Sequence, residues 1–198
     1  MNIVKGLFIM LTAVFLSSSA DAANKAIVVY FSHAGENYGV GNVAEGNTAK
    51  VAKEIARRLN ADIYEIKEAK PYPTKYDACV DLAKEEQRLN ARPAIAGNLP
   101  DLSSYKVIFL GYPNWWGDCP MIVYSFLEKE NIDGKIIVPF CTHEGSGLGA
   151  TASNLQKHFP KSKVVQKGLA IKGTIAQKDA KTTAKAVETW LKALKAIK

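Results

Sequence analysis

Residues 26–32, Ala-Ile-Val-Val-Tyr-Phe-Ser, form an unbroken apolar run rich in β-branched and aromatic side chains, which predicts a buried strand. A glycine-rich loop follows. Asn47 or Thr48 then stands where it would cap a helix whose apolar residues Val51, Ala52, Ile55, Ala56 and Leu59 recur at helical spacing. Ala61 to Ile66 reads as a shorter strand. Pro71 and Pro73 interrupt the chain, and Tyr76 to Leu89 predicts a helix with a mixed-charge face. Further on, Lys106 to Leu110 is a strand, Pro120 to Lys129 a helix and Lys135 to Phe140 a strand. Leu148 to His158 is a helix, Lys163 to Ile171 contains a fifth strand, and a helix from about Ala176 to Ile197 closes the chain.

Strand and helix alternate five times, and the central strands are near-continuous apolar runs. That pattern belongs to a parallel sheet buried on both faces. Right-handed crossovers turn it into an α/β fold, a three-layer, doubly wound, five-stranded parallel sheet. No repeat, linker or low-complexity tract divides residues 23–198, which read as a single domain.

The N-terminal segment has a different grammar. Lys5 supplies a positive start, Leu7 to Leu16 is an apolar stretch broken only by Thr12, and Ala20-Asp21-Ala22 fits a small-x-small cleavage site. Residues 1–22 are therefore expected to be a signal peptide rather than a buried helix or an uncleaved anchor. The protein is expected to be exported, into the periplasm if its source has two membranes. No Arg-Arg pair marks a route for folded cargo.

Composition adds less. Hydrophobic residues make up 47% and charged residues 23%, an ordinary globular balance. The formal charge of +7 invites nucleic acid as a partner, but no nucleic-acid-binding motif accompanies it, and that class is set aside. The excess is local: residues 157–198 hold eleven lysines and two acids, +9, which leaves −2 for residues 1–156. Ala184, Val187, Leu191 and Leu194 form the apolar stripe of the last helix. Its lysines read first as a solvated face and second as a docking surface for an acidic partner or an anionic membrane. Cys79, Cys119 and Cys141 contain no C-x-x-C, and buried free thiols are the preferred reading over one disulfide. His33, His143 and His158 lack metal-ligand spacing, so no metal is expected.

In an open α/β sheet, ligands bind beyond the carboxyl ends of the strands. Three loops there are unusual. The first, residues 32–48, holds four glycines and ends Gly46-Asn47-Thr48 at a helix start, where backbone N–H groups and hydroxyls suit an anion; Asn47 and Thr48 serve equally well as plain caps. Gly39-Val-Gly41-Asn-Val-Ala44 within it mimics a dinucleotide fingerprint, but starts too far from its strand and ends before the helix. The second, Gly111-Tyr112-Pro113-Asn114-Trp115-Trp116-Gly117-Asp118, puts two indoles side by side, and both cannot enter one core layer. The third, Cys141-Thr142-His143-Glu144-Gly145-Ser146-Gly147, offers polar contacts and close backbone approach. Glu144 stands where a nucleophile elbow needs glycine, which argues against a serine hydrolase.

With these loops in order on their strands, the chain resembles the flavodoxin-like family. The match is to a branch with Y-F-S-x-x-G and a delayed G-N-T, then G-Y-P-x-W-W-G, then T-H-x-G-S-G, over nearly all of residues 26–196. The resemblance implies strand order 2-1-3-4-5 and a non-covalent FMN. By the family pattern, Ser32, Gly46, Asn47, Thr48 and Ala49 would hold the 5′-phosphate. Pro113, Asn114, Trp115, Trp116 and Gly117 would line the isoalloxazine, and Thr142, His143, Gly145, Ser146 and Gly147 would close the other side. The chain departs from the family's small carriers in its long insertion at residues 33–45, its basic charge and its expected export. The implied function is an FMN-dependent redox protein that transfers electrons to a partner protein or reduces a small quinone-like acceptor. As an enzyme it would be an NAD(P)H oxidoreductase, and no catalytic residue is assigned. The alternative is a non-redox binding module that holds another flat anionic ligand in the same cleft.

Overall fold

A computed structural model describes residues 25–195; the expected signal peptide, residues 1–22, lies outside the described residues. In chain order the elements begin with β1 (Ala26–Tyr30), the short pair β2 (Gly35–Asn37) and β3 (Gly41–Val43), α1 (Asn47–Leu59) and β4 (Asp62–Glu65). They continue with α2 (Tyr76–Arg88), β5 (Val107–Pro113), α3 (Met121–Lys129), β6 (Ile136–His143) and α4 (Thr151–His158). The last are β7 (Lys163–Val164), β8 (Leu169–Lys172), α5 (Gly173–Lys178) and α6 (Ala180–Lys195).

The main sheet is parallel, in the order β4-β1-β5-β6, with β7 and β8 both on the outer edge of β6. This is the expected 2-1-3-4-5 order. Both faces are covered, which explains why the central strands β1, β5 and β6 lack polar alternation, while edge strand β8 alternates buried and exposed residues. Along β1 and just beyond it, Ile27, Val29 and Phe31 enter a core shared with α2, α3 and α4. Val28 and Tyr30 enter the opposite core, against α1, α5 and α6.

Four local features depart from the sequence reading. The insertion after β1 is not plain loop, because β2 and β3 pair as an antiparallel hairpin. The N-cap of α1 is Gly46, not Asn47 or Thr48, and no side chain of its own caps the helix. A Cβ on Gly46 would lie closer than 3.0 Å to both Ser32 Oγ and the His33 carbonyl, so only glycine fits. Ser32, across the insertion, supplies the capping oxygen instead: its Oγ accepts the Ala49 N–H at 3.0 Å.

The fifth strand is split into β7 and β8. The Lys135 and Ile137 carbonyls bond toward β7, so alternate residues of β6 face that edge, and the next of these is Pro139, which has no N–H to give. The last helix is divided too. Asp179 separates α5 from α6 and caps the latter, its carboxylate accepting the Thr182 N–H at 2.9 Å and the Thr182 hydroxyl at 2.7 Å.

Candidate functional site

The carboxyl ends of β1, β5 and β6 open into one cleft of about 390 Å3. The sheet itself sets two of its walls side by side, since Pro113 and Thr142 are paired at the ends of β5 and β6. Asn114 stitches the two loops together. Its N–H donates to the Thr142 carbonyl at 2.8 Å, its Nδ2 donates to the Gly147 carbonyl at 2.8 Å, and its Oδ1 accepts the Gly117 N–H at 3.0 Å.

Beyond Asn114 the chain makes a tight turn in which Trp115 and Asp118 exchange backbone hydrogen bonds of 2.9 and 3.1 Å. Trp116 and Gly117 occupy its centre with φ of 55° and 82°. A left-handed conformation costs a non-glycine residue about 1 kcal/mol, so the surroundings must hold it. The buried Asp118 does much of this, accepting the Cys119 N–H at 2.7 Å, the Tyr124 hydroxyl at 3.0 Å and the Asn154 amide at 2.7 Å.

The turn sends the two indoles different ways. Trp115 packs edge-on against Phe31, Tyr72 and His33, with ring centroids 5.1–5.8 Å apart. Trp116 stays 49% exposed, lying on α2 with its Nε1–H donating to the Val80 carbonyl at 3.0 Å and Lys84 Nζ 5.1 Å from its ring. Both indoles line the cleft.

In the third loop, His143 Nδ1 accepts the Gly145 N–H at 2.9 Å, which fixes the neutral tautomer and leaves Nε2–H as a donor. Burial, with Lys172 adding to it and Glu144 opposing, pushes the His143 pKa below its usual value. Glu144 accepts the Thr174 N–H at 2.6 Å and the Thr174 hydroxyl at 3.3 Å, tying the loop to α5. Thr142 and Thr48 share a buried hydrogen bond of 2.8 Å, which ties it to α1.

At the start of α1, Asn47 Nδ2 donates to Asn37 Oδ1 at 3.3 Å, while the buried Asn47 Oδ1 has no partner. Ser32 Oγ, having accepted from Ala49, keeps its own hydrogen. The first turn of α1 carries no acidic residue.

Of the residues singled out in the sequence, Asn47, Pro113, Asn114, Trp115 and Trp116 line the cleft, as do Thr142, His143, Gly145 and Ser146. Ser32, Gly46, Thr48, Ala49, Gly117 and Gly147 lie outside its lining; most of these serve the loops behind it, through the contacts described above. Other parts of the lining lie outside that set, including Glu144 of the third loop. The hairpin supplies Glu36, Asn37 and Tyr38, α2 supplies Tyr76, Cys79, Val80 and Ala83, and His33 closes the inner wall. The cysteines are buried thiols, and burial pushes Cys79 and Cys141 to about 12, far from reactive.

The sequence model of a family described as Flavodoxin matches residues 25–190. Among solved structures, a candidate flavoprotein from Bacteroides eggerthii DSM 20697 is 29% identical over 85% of this chain and 96% of that one, with a TM-score of 0.67. A second, from Bacteroides uniformis ATCC 8492, is 26% identical over 85% and 98%, with a TM-score of 0.67. A flavoprotein from Lactobacillus acidophilus NCFM, solved in complex with FMN, is 22% identical over 76% and 94%, with a TM-score of 0.60; at that identity the likeness shows the fold alone. A search among curated proteins finds no match.

Proposed function

This chain belongs to the flavodoxin family, and from that premise we propose that it is an exported FMN-dependent redox protein that passes electrons to a small quinone-like acceptor or to a partner protein. FMN is the cofactor that family membership assigns. The observation that carries the reading is the convergence of three loops and the α1 N-terminus on one cleft with an exposed indole in its wall.

The donors present suit such a ligand. The N-terminus of α1, the Ser32 hydroxyl and the Asn47 side chain offer a dianion N–H and O–H groups with no carboxylate in the first turn. Open space lies where Gly145, in the cleft lining, lacks a Cβ, so backbone can approach a flat ring there. Trp116 offers a broad apolar surface that would exclude water from one ring face. His143, held neutral, presents Nε2–H as a donor to an acceptor atom on the ring edge. When bound, FMN supplies one- and two-electron redox chemistry, and the protein sets its position and electronics. Export rests on the pattern of residues 1–22.

An anaerobic redox titration tests the reading. The FMN-loaded protein should bleach with dithionite and regain its flavin absorbance when a quinone or a partner fraction is added. A bound flavin that no acceptor reoxidises would leave only a binding module.

A further inference from the structure

The chain has three histidines, and one of them, His33, is a buried member of the cleft wall whose Nε2 has no hydrogen-bond partner. We propose that His33 takes up the proton that balances the negative charge gained when the flavin in this cleft is reduced, so that the electron affinity of the bound flavin depends on pH through this side chain. The proposal rests on the FMN reading above and deepens it by naming a residue that regulates that site.

The surroundings hold the ring in place. It stands edge-on to Trp115, with centroids 5.8 Å apart, and to Tyr72 at 6.5 Å, while Trp115 and Tyr72 themselves lie 5.1 Å apart. The backbone is held as well, since the His33 carbonyl accepts the Asn37 amide at 3.4 Å and abuts Gly46. A phenyl ring would fill this space and leave no buried nitrogen unpaired, so the imidazole carries an energetic cost that packing alone does not explain.

The charges around the cleft single out His33. No Lys or Arg is among the lining residues, so the wall holds no fixed cation to offset a new negative charge. The other titratable groups there are Glu36, Tyr38, Tyr76, Cys79, His143 and Glu144. Glu36 pairs with Lys75, and Glu144 accepts the Thr174 N–H. Burial makes Tyr76 and Cys79 hold their protons, and Tyr72 gives its hydroxyl to Glu86 of α2 at 2.8 Å. His143 spends Nδ1 on the Gly145 N–H, so a second proton there would break that bond, and Lys172 also opposes it. His33 has no such engagement. Burial keeps it neutral before reduction, while Glu68 and the Pro73 carbonyl favour its charged form. Two electrons from an external donor and one proton on the ring leave the flavin one unit more negative. A second proton from solvent, bound by the free ring nitrogen of His33, makes an imidazolium that cancels that charge.

An NMR pH titration of the FMN-loaded protein, oxidised and then dithionite-reduced, follows each histidine ring, and His33→Gln identifies the His33 signal. His33 should titrate at least about one unit higher in the reduced protein, a tenfold gain in proton affinity, and should shift by more than His143. Spectroelectrochemical midpoint potentials between about pH 5 and 8 give the second readout. The tenfold gain corresponds to about 30 mV for a two-electron couple, and that component should vanish in both His33→Gln and His33→Phe. Phenylalanine preserves the packing on Trp115 and Tyr72, so a wild-type pH dependence in His33→Phe would overturn the proposal. A His33 signal that titrates identically in the two states would overturn it too. Failure of the FMN reading itself would show earlier, as wild-type protein that retains no flavin.

Discussion

Gly46→Ala isolates the geometry on which the phosphate end of the site depends. Gly46 has φ −65° and ψ 156°, a conformation open to any residue, so the substitution adds no backbone strain of its own. The cost is purely steric. The new Cβ would meet Ser32 Oγ and the His33 carbonyl at separations below 3.0 Å, closer than real Cβ atoms come to any neighbour. The serine can rotate, but the carbonyl is backbone, so the α1 start and the β1 end must move apart. Overpacking of this kind costs about 1–3 kcal/mol. Ser32→Ala alone strands the Ala49 N–H and should cost about 1 kcal/mol. In the double variant one of the two clashes is gone while the other remains, so its loss should fall short of the sum of the singles by a measurable fraction of a kcal/mol. Urea denaturation of all four proteins at constant m-value reads these quantities. Wild-type stability for Gly46→Ala, or strict additivity in the cycle, would refute the remote cap.

Asp118→Ala should cost about 2–4 kcal/mol, because it leaves three donors without an acceptor in a buried site, and thermal unfolding would report it. Trp116→Ala should weaken FMN and riboflavin equally, by about tenfold, because the proposed site sets the indole against the ring and not the phosphate; titration of both flavins checks this. Acid should destabilise the fold through His33 and His143. Burial, as the largest cause at both, lowers their pKa below the usual 6.5, so the unfolded chain takes up protons first. Their contribution is complete above about pH 6.5 and is lost as pH falls below it. Urea midpoints from pH 8 to 5 should therefore decline mainly below 6.5, and less steeply in a His33→Phe/His143→Asn variant.

The fold was legible because its signal is repeated. Five strand runs alternate with helical periodicities, and burial on both sheet faces leaves the central strands β1 and β5 and most of β6 without polar positions. The split in the fifth strand was visible in Pro139 but carries meaning only once the edge it faces is known. The hairpin left no trace, since Gly-Glu-Asn and Gly-Asn-Val show no apolar alternation. Glu36 holds it to α2 across residues far apart in the chain. The same holds for the site. Its three loops are local sequence features at strand ends, whereas Tyr38, Tyr76, Cys79 and Val80 meet only because residues 66–106 fold back over the sheet. Asp118 and Glu144 sat in plain view within the two loops, but their roles depend on donors from α3, α4 and α5.

The central claim, that this cleft is an FMN site with the phosphate at the start of α1, comes down to one comparison. Purified protein freed of ligand is titrated with FMN and with riboflavin, and binding is followed by quenching of flavin fluorescence. The account predicts strong quenching by both, with FMN bound at least about tenfold more tightly, or roughly 1.4 kcal/mol, and that advantage reduced in Gly46→Ala. No binding of FMN, or equal affinity for the two flavins, would contradict it.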